Sequence, residues 1–109
     1  MRTILVRYKT ALAHAASNEA LVHAVFDELR ASAPEGIRYA TYRLEDGVSF
    51  VHLATLASAS ASAEDNPLTS LPSFKAFQAD LKSRCVEPPV VTTLLAVDSY
   101  GPAGSGGAS

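Results

Sequence analysis

The sequence predicts an α+β fold in which a four-stranded antiparallel sheet carries two helices on one face. Three observations support this prediction. Four segments are rich in β-branched and aromatic residues, two segments repeat apolar residues every three or four positions, and together they run β-α-β-β-α-β along the chain. With 109 residues, 48% of them hydrophobic, the chain has the size and the apolar content of one domain with its own core.

The first strand and the first helix occupy the N-terminal third of the chain. Residues 2–10, "RTILVRYKT", begin with an apolar β-branched run and then alternate, which predicts a strand. Ser17 or Asn18 supplies a cap for the helix, and Pro34 with Gly36 ends it. The apolar stripe of this helix consists of Val22, Val25, Phe26, Leu29 and Ala33.

Two further strands form a predicted hairpin. Residues 37–44 and 48–57 flank Glu45-Asp46-Gly47, which fits a type I turn with Gly47 in the left-handed conformation. The hairpin therefore places the third strand beside the second.

The register of this hairpin decides which side chains surround His52. A three-residue turn places Tyr42, Ala40 and Arg38 opposite residues 50, 52 and 54. A two-residue loop at Asp46-Gly47 moves the register by one position, and Tyr39, Thr41 and Arg43 take their place. We favour the first register, because glycine is the usual third residue of a three-residue turn.

The C-terminal half supplies the remaining elements. Residues 58–67 are small and polar and predict a loop, and residues 68–85 predict a second amphipathic helix with Pro72 in its first turn. Pro88 and Pro89 stop that helix, and residues 90–100 form the last strand. The helix's apolar positions are Leu71, Phe74, Phe77, Leu81 and Cys85. The domain thus covers residues 1–101, and residues 102–109 form a flexible Gly/Ser tail.

The composition argues against several classes of function. Nine basic and eleven acidic residues give a net charge of −2 without a basic run, so we expect no nucleic-acid partner. The single cysteine, Cys85, excludes an internal disulfide and a Cys-rich zinc site, and we expect a buried or half-buried thiol near a helix end. No window approaches the roughly 18 apolar residues of a membrane span, so we expect a cytoplasmic protein without a membrane partner.

Apolar residues on both faces of the sheet predict a homodimer. In "ILV", "FVHLATL" and "VVTTLLAV" both alternating sets of positions carry apolar side chains, whereas a sheet with one face in water should alternate cleanly. We predict that two copies cover each other's bare sheet face around a two-fold axis and form an α+β barrel. The alternative is that the additional apolar residues are edge positions or ordinary packing variation.

The β-α-β-β-α-β order is that of ferredoxin-like folds, and four segments carry a closer resemblance. They are "ALVHAVFDELR", "GIRYATYRLEDGVSFVHLATL", "NPLTSLPSFKAFQADLKSRC" and "PPVVTTLLAVDSYG". Over residues 2–101 the chain resembles the dimeric α+β barrel superfamily, in its antibiotic-biosynthesis-monooxygenase-like branch. The resemblance implies a small-molecule pocket between the sheet and the helices. The superfamily includes cofactorless monooxygenases acting on polyketide quinols, haem-degrading enzymes, polyketide cyclases and members without known chemistry.

The chain departs from the enzymatic branches of this superfamily in several residues. Cofactorless and haem-degrading members typically use a tryptophan with an asparagine, but this chain has no tryptophan, and capping explains Asn18 and Asn66. His23, the helical candidate for a haem ligand, lies between Glu19 and Asp27 on the polar face. "VSFVHLATL" is similar to the histidine-bearing third strand of the plant olivetolic acid cyclase, which implies that the strand's histidine faces the pocket. The cyclase's His-Pro-x-His stretch is "LPSF" here.

The strongest candidate for chemistry is His52, in the middle of an apolar strand. It shares one face with Phe50 and Ala54. In the functional hypothesis His52 accepts the proton of a phenol and Tyr8 or Tyr42 orients it, so these three residues are the predicted catalytic group. An electron-rich phenolate can react with oxygen without a metal or flavin. The predicted ligand-binding residues are Arg38, Phe50, Phe26, Phe74 and Phe77. The alternative is a buried neutral histidine paired with a tyrosine hydroxyl.

The sequence predicts no cofactor and no metal. Apart from Glu19, His23 and Asp27 on the polar face of the first helix, it has no pair of His, Asp or Glu at ligand spacing on one face, and it has no Gly-rich phosphate loop. His14 lies in the small-residue connection 11–17 and is expected to be exposed.

Three functions remain open. The first is a cofactor-independent oxygenase or related enzyme that acts on a small aromatic molecule. The second is a non-catalytic ligand-binding or stress-related dimer. The third is a protein with a filled core and no pocket. The three phenylalanines Phe26, Phe74 and Phe77 decide whether the space beside His52 is open.

Overall fold

The computed structural model describes residues 2–57 and 67–101, and they form one antiparallel four-stranded sheet in the order β2-β3-β1-β4. The strands are β1 (Arg2–Thr10), β2 (Ile37–Arg43), β3 (Ser49–Leu56) and β4 (Cys85–Leu94). The helices are α1 (Leu12–Ser32), α2 (Pro72–Ala79) and α3 (Leu81–Arg84), with a 3-10 turn at Pro67–Ser70. The predicted α+β class and the ferredoxin-like element order are confirmed.

The predicted loop at 58–67, except Pro67, and the predicted tail at 102–109 lie outside the described residues.

Helix α1 begins earlier than the sequence analysis expects. It starts at Leu12 rather than after Ser17, so the predicted connection at 11–17 is wrong. Alanine is the best helix former, and the Ala-rich segment extends the helix instead of linking to it. Asn18 therefore lies inside α1 and is not its cap. The end of the helix agrees with the expected stop, because Ala33 adopts a left-handed φ of 45° and its N–H donates to the carbonyl of Leu29.

The hairpin between β2 and β3 has a four-residue loop at 45–48, and the favoured register is wrong. The Leu44 N–H donates to the Ser49 carbonyl at 2.8 Å, so these two residues pair across the hairpin. Thr41 consequently lies opposite His52. Asp46 stabilises the longer loop, because its carboxylate accepts hydrogen bonds from the N–H groups of Val48 and Ser49 and from the Ser49 hydroxyl.

This register reverses the two faces of β2. Tyr39, Thr41 and Arg43 lie on the face of His52, as in the alternative register. Tyr42 and Arg38 lie on the opposite face, so their predicted position beside His52 is wrong. A shift of one position exchanges the complete set, because successive side chains of a strand point to opposite faces.

The predicted second helix is divided into three pieces. The 3-10 turn at Pro67–Ser70 precedes α2, and Asp80, at φ −119° and ψ 19°, separates α2 from α3. Aspartate is a weak helix former, which agrees with a break at this position. Pro72 occupies the first turn of α2, as predicted.

Strand β4 starts at Cys85 rather than at residue 90 and ends at Leu94 rather than at residue 100. It includes Pro88 and Pro89, which were predicted only to stop the preceding helix. Because β4 is an edge strand, a proline there removes no hydrogen bond that the sheet needs. The pairing with β1 shifts register between Arg7 and Thr10, next to these prolines.

The core lies between the sheet and the helices. It is built by Tyr8, Val22, Val25, Phe50, Leu68, Leu71, Phe77 and Leu81. Leu5, Val51, Leu53 and Val90 point away from this core, since they alternate with Val6, Phe50, His52 and Val91 along their strands. The sheet therefore presents apolar side chains on both faces.

The left-handed glycine of the hairpin loop allows a direct test of the loop. Gly47 has a φ of +78° and its N–H donates to the Leu44 carbonyl at 2.9 Å. Gly47→Ala is expected to lower the free energy of unfolding by about 1–2 kcal/mol, because a Cβ is strained in this conformation. Gly47→Asn, which tolerates positive φ better, should lose less. Urea unfolding measures both, and equal stability of all three proteins would contradict this loop geometry.

Candidate functional site

A cleft of about 710 Å³ lies on the helix-covered side of the sheet. This volume is within the range of small-molecule sites, about 300–1,000 Å³. Apolar and aromatic side chains form most of its lining, and two tyrosines and a histidine are among the lining residues. The lining includes Val6, Tyr39, His52, Phe74, Phe77 and Val91.

His52 is buried beside the cleft with both ring nitrogens in hydrogen bonds. Its Nε2 lies 2.8 Å from the hydroxyl of Tyr8 on β1. Its Nδ1 lies 2.5 Å from the hydroxyl of Tyr39 and 3.1 Å from that of Thr41, both on β2. Burial lowers the pKa of His52 from 6.5 to about 4, so the ring is neutral at pH 7.

The two tyrosines that contact His52 are neutral phenols. Tyr8 is 2% exposed, and burial raises its pKa well above the ordinary value. Burial also raises the pKa of Tyr39 to about 12. Neither side chain ionises near neutral pH, so both act through hydrogen bonds of their hydroxyl groups.

Asn18 and Arg84 extend the hydrogen bonds into the helices. The Asn18 side chain is fully buried, and its Nδ2 donates to the Tyr8 hydroxyl at 2.8 Å. Arg84 Nε donates to Asn18 Oδ1 at 3.0 Å, and Arg84 Nη2 donates to the Phe77 carbonyl at 2.8 Å. We call the five residues Arg84, Asn18, Tyr8, His52 and Tyr39 the buried relay. It connects α3 and α1 to three neighbouring strands.

Aromatic rings enclose the relay without filling the cleft. Phe77 lies 5.4 Å from the His52 ring and 5.4 Å from the Arg84 guanidinium, measured to its ring centroid. Phe50 stacks on Tyr8, and Phe26 stacks on Tyr39 from the side facing α1. The phenylalanines therefore leave the space beside His52 open, which argues against the filled-core alternative.

The structure brings most of the predicted site residues together, although not all of them. His52, Tyr8, Phe74 and Phe77 line the cleft. Phe50 and Phe26 lie behind the relay as aromatic supports. Tyr42, 56% exposed, and Arg38 lie on the other face of the sheet, so neither contacts this cleft. The predicted roles of both residues depended on the wrong hairpin register.

Sequence reasoning missed four members of this site, two on β2 and two on the helices. Tyr39 and Thr41 belonged to the register that we did not favour. Asn18 was assigned to capping, although it lies three and four positions from Ala15 and Val22 on the buried face of α1. A polar residue on an apolar helical stripe was the available signal. Arg84 gave a similar signal, three positions after the buried Leu81.

The other predicted polar residues are peripheral. His14 is exposed, as expected, and His23 lies on the exposed side of α1, 3.5 Å from Glu19. Cys85 is half-buried at the junction of α3 and β4, as predicted, and burial raises the pKa of its thiol.

Within residues 2–57 and 67–101, no three His, Cys, Asp or Glu side chains cluster closely enough to hold a metal ion. No helix in these segments is long and apolar enough to cross a membrane.

Known structures share this architecture, whereas no family model and no curated protein sequence matches the chain. Rv0793 from Mycobacterium tuberculosis is 24% identical, with a TM-score of 0.72 over 92% of this chain and 98% of that one. A putative antibiotic biosynthesis monooxygenase from Nitrosomonas europaea is 11% identical, with a TM-score of 0.72 over 90% and 100%. SnoaB, a cofactor-independent oxygenase from Streptomyces nogalater, is 19% identical, with a TM-score of 0.60 over 93% and 97%.

These structures define the class of fold to which the site belongs. The chain has the ferredoxin-like α+β fold of antibiotic-biosynthesis-monooxygenase-like proteins. The resemblance predicted from the sequence is thereby confirmed for the fold. At these identities the similarity concerns the backbone, and the chemistry has to be argued from the side chains of the cleft.

The neutral imidazole of His52 predicts a loss of stability in mild acid. The unfolded chain binds a proton at this residue near its ordinary pKa of 6.5, whereas the folded chain binds it near 4. The contribution of His52 to the free energy of unfolding is therefore fully present above pH 6.5, and it is lost as the pH decreases towards 4. One pKa unit is worth about 1.4 kcal/mol, so the full loss is about 3 kcal/mol.

Urea unfolding from pH 7.5 to 4.5 measures this loss, with His52→Gln as the comparison. The variant should be less stable at pH 7.5 and should lose less stability between the two pH values. The carboxylates whose pKa is lowered in the folded chain, Glu19, Glu28 and Asp46, also lose stabilising contacts in acid, but they are common to both proteins and cancel in the comparison. Equal pH dependence of the two proteins would contradict a buried neutral His52.

Proposed function

We propose that the cleft binds a small aromatic molecule with a phenolic or quinol hydroxyl, and that the protein oxidises this molecule with dioxygen without a cofactor. The observation that carries the proposal is the polar end of the relay, Tyr39 with His52, in the wall of a predominantly apolar cleft of about 710 Å³. Apolar walls with few polar groups are typical of sites for flat aromatic ligands. The fold shared with a cofactor-independent oxygenase supports the same conclusion.

The reaction requires little from the protein beyond positioning and charge stabilisation. The phenol loses its proton to water, and the phenolate donates electrons to dioxygen. Oxygen then adds to the ring carbon opposite the hydroxyl, which must carry a hydrogen. Loss of water then leaves a quinone. One oxygen atom enters the ring and the other leaves as water, while the phenol is oxidised by four electrons and dioxygen is reduced by four. A donor directed at the phenolate oxygen favours this anion and holds the ring in place.

The geometry supports Tyr39 as the residue that contacts the ligand and His52 as the residue that positions Tyr39. Both nitrogens of His52 are already hydrogen-bonded, and burial lowers its pKa to about 4. A general base at neutral pH requires a pKa near the working pH and a free lone pair. We therefore revise the proposed roles: Tyr8 and His52 remain part of the site through the relay, and Tyr39 replaces Tyr42 as the tyrosine at the ligand.

Oxygen uptake under air tests the proposal, with a series of electron-rich phenols that carry a hydrogen on the ring carbon opposite the hydroxyl. The wild-type protein should consume oxygen faster than the uncatalysed reaction. Tyr39→Phe should lower kcat by roughly 10²-fold, the cost of removing a donor to a developing anion. His52→Ala should also lower it, because it removes the support of Tyr39. Tyr42→Phe, on the opposite face, is the matched control and should keep the full rate. Oxygen uptake at the uncatalysed rate in all four proteins would remove the oxygenase proposal.

A non-catalytic ligand-binding protein is the second candidate. The observation that favours it is the absence of a free base at the relay, where each hydrogen-bonding nitrogen of His52 has a partner. A binding protein needs the cleft and the donor without turnover. Saturable binding of a quinol with no oxygen uptake would identify this function.

We also propose that the protein is a homodimer in which the bare sheet faces of two copies pack together. The sheet face opposite the helices carries Leu5, Leu53 and Val90, and Val90 is 61% exposed. The segment after β4 adds Leu95 and Val97, both largely exposed. Arg7 lies between Val51 and Val90 on this face, but a single-chain protein rarely leaves so many apolar side chains of one sheet face in water.

Analytical ultracentrifugation at micromolar concentration tests the dimer. The wild-type protein should sediment with twice the mass of the chain. Leu53→Glu places a charge in the middle of the proposed interface and should give a folded monomer. Ala24→Glu, on the exposed side of α1, is the control and should remain dimeric. A wild-type protein that sediments as a single chain would contradict the proposal.

A further inference from the structure

The direction of the hydrogen bonds in the buried relay can be derived from its first member. The guanidinium of Arg84 has only donors, so its Nε donates to Asn18 Oδ1 at 3.0 Å. This contact fixes the orientation of the Asn18 amide, and its nitrogen faces Tyr8. An amide nitrogen also only donates, and the Tyr8 oxygen accepts this hydrogen bond at 2.8 Å.

The remaining hydrogens follow in order. Because the Tyr8 oxygen accepts from Asn18, the hydrogen of Tyr8 points to its other neighbour, His52 Nε2, at 2.8 Å. A neutral imidazole whose Nε2 accepts carries its proton on Nδ1. Nδ1 therefore donates to the Tyr39 oxygen at 2.5 Å. The Thr41 hydroxyl, 3.1 Å from Nδ1, also donates to the Tyr39 oxygen. The hydrogen of the Tyr39 hydroxyl therefore has no acceptor in the relay, and Tyr39 lines the cleft.

The charge of Arg84 adds a second argument. Arg84 is 7% exposed, and within the described segments it has no carboxylate within 4.0 Å. Its hydrogen-bond partners are the neutral Asn18 amide and the Phe77 carbonyl. A buried cation without an anion is unfavourable, and each successive hydrogen bond of the relay directs a positive dipole end towards the cleft. An anion at Tyr39 would compensate this charge.

We propose that Arg84 and Asn18 are positioning residues that hold His52 in the Nδ1–H form, and that Tyr39 thereby donates a hydrogen bond to an oxygen anion of the ligand, a phenolate. This inference rests on the proposed ligand cleft and specifies the ionic form that the cleft selects. The charged side chains that line the cleft, Asp80 and Lys82, are exposed and of opposite sign. They therefore provide little net preference for an anionic or a cationic ligand.

The tautomer of His52 tests the direction of the relay without any ligand. Long-range ¹H–¹⁵N NMR spectra distinguish a protonated from an unprotonated ring nitrogen. The wild-type protein should carry the proton on Nδ1. In Asn18→Asp the carboxylate has no N–H for Tyr8, so the Tyr8 hydrogen turns to it and His52 should become protonated on Nε2. Protonation of Nε2 in the wild-type protein would overturn the inference, whether or not the variant folds.

The ligand preference is tested with 4-nitrophenol and its methyl ether 4-nitroanisole, which cannot ionise. The wild-type protein should bind the 4-nitrophenolate anion about tenfold more tightly than the neutral phenol, because hydrogen bonds to charged acceptors are stronger. Bound 4-nitrophenol should therefore ionise at a lower pH than the free compound, as followed by the absorbance of its anion. Tyr39→Phe and Asn18→Asp should lose this preference and should still bind 4-nitroanisole.

The outcomes separate the two proposals. Binding of both compounds without a preference for the anion would overturn the inference and leave the cleft intact. Binding of neither compound would contradict the proposed function and the inference with it. A tenfold preference that persists in Asn18→Asp would assign the selectivity to Tyr39 alone and overturn the role of Asn18 and Arg84.

Discussion

The hydrogen bonds around one buried imidazole connect almost every element of this fold. His52 lies on β3, next to the centre of the sheet, and contacts Tyr8 on β1 and Tyr39 on β2. Through Tyr8 the same relay reaches α1 at Asn18 and α3 at Arg84. A buried polar group is costly unless it is paired, so each of these elements is held where its partner requires it. The relative position of helices and sheet is therefore specified by polar contacts as well as by packing.

Burying such a relay costs free energy of desolvation that an aliphatic core would not require. Aliphatic side chains of similar volume would stabilise a fold of this size as well as a buried guanidinium does, and without the desolvation cost. The aromatic rings around the relay reduce that cost only in part, through the contact of Phe77 with Arg84. What the polar residues add is a defined orientation of hydrogen-bond donors beside an open cleft, which is the arrangement that ligand recognition requires.

The sequence was sufficient for the architecture and insufficient for the site, for one physical reason. Strands and helices follow from apolar periodicity, which extends over many residues, and β1 agrees with its predicted bounds at both ends. The register of the hairpin depends on a single loop, where the Asp46 carboxylate favours four residues over three. That difference of one residue decided whether Tyr39 or Tyr42 faces His52. For a related reason the sequence assigns Asn18 to a cap, because it predicts that α1 starts after Ser17 rather than at Leu12.

The same register determines both surfaces of the sheet, so the cleft and the opposite face cannot change independently. Along β1, Val6 and Tyr8 face the cleft while Leu5 and Arg7 face away, and Val51 and Leu53 alternate in the same way with His52 on β3. A slip of one position would bury Tyr42 and expose Tyr39, and it would also move polar residues into the apolar face. The Asp46 loop sets the register of β2 against β3, and it therefore determines the side chains of β2 on both sheet faces. This coupling makes the conformation of one exposed hairpin loop a determinant of which β2 side chains reach the cleft and which reach the bare sheet face.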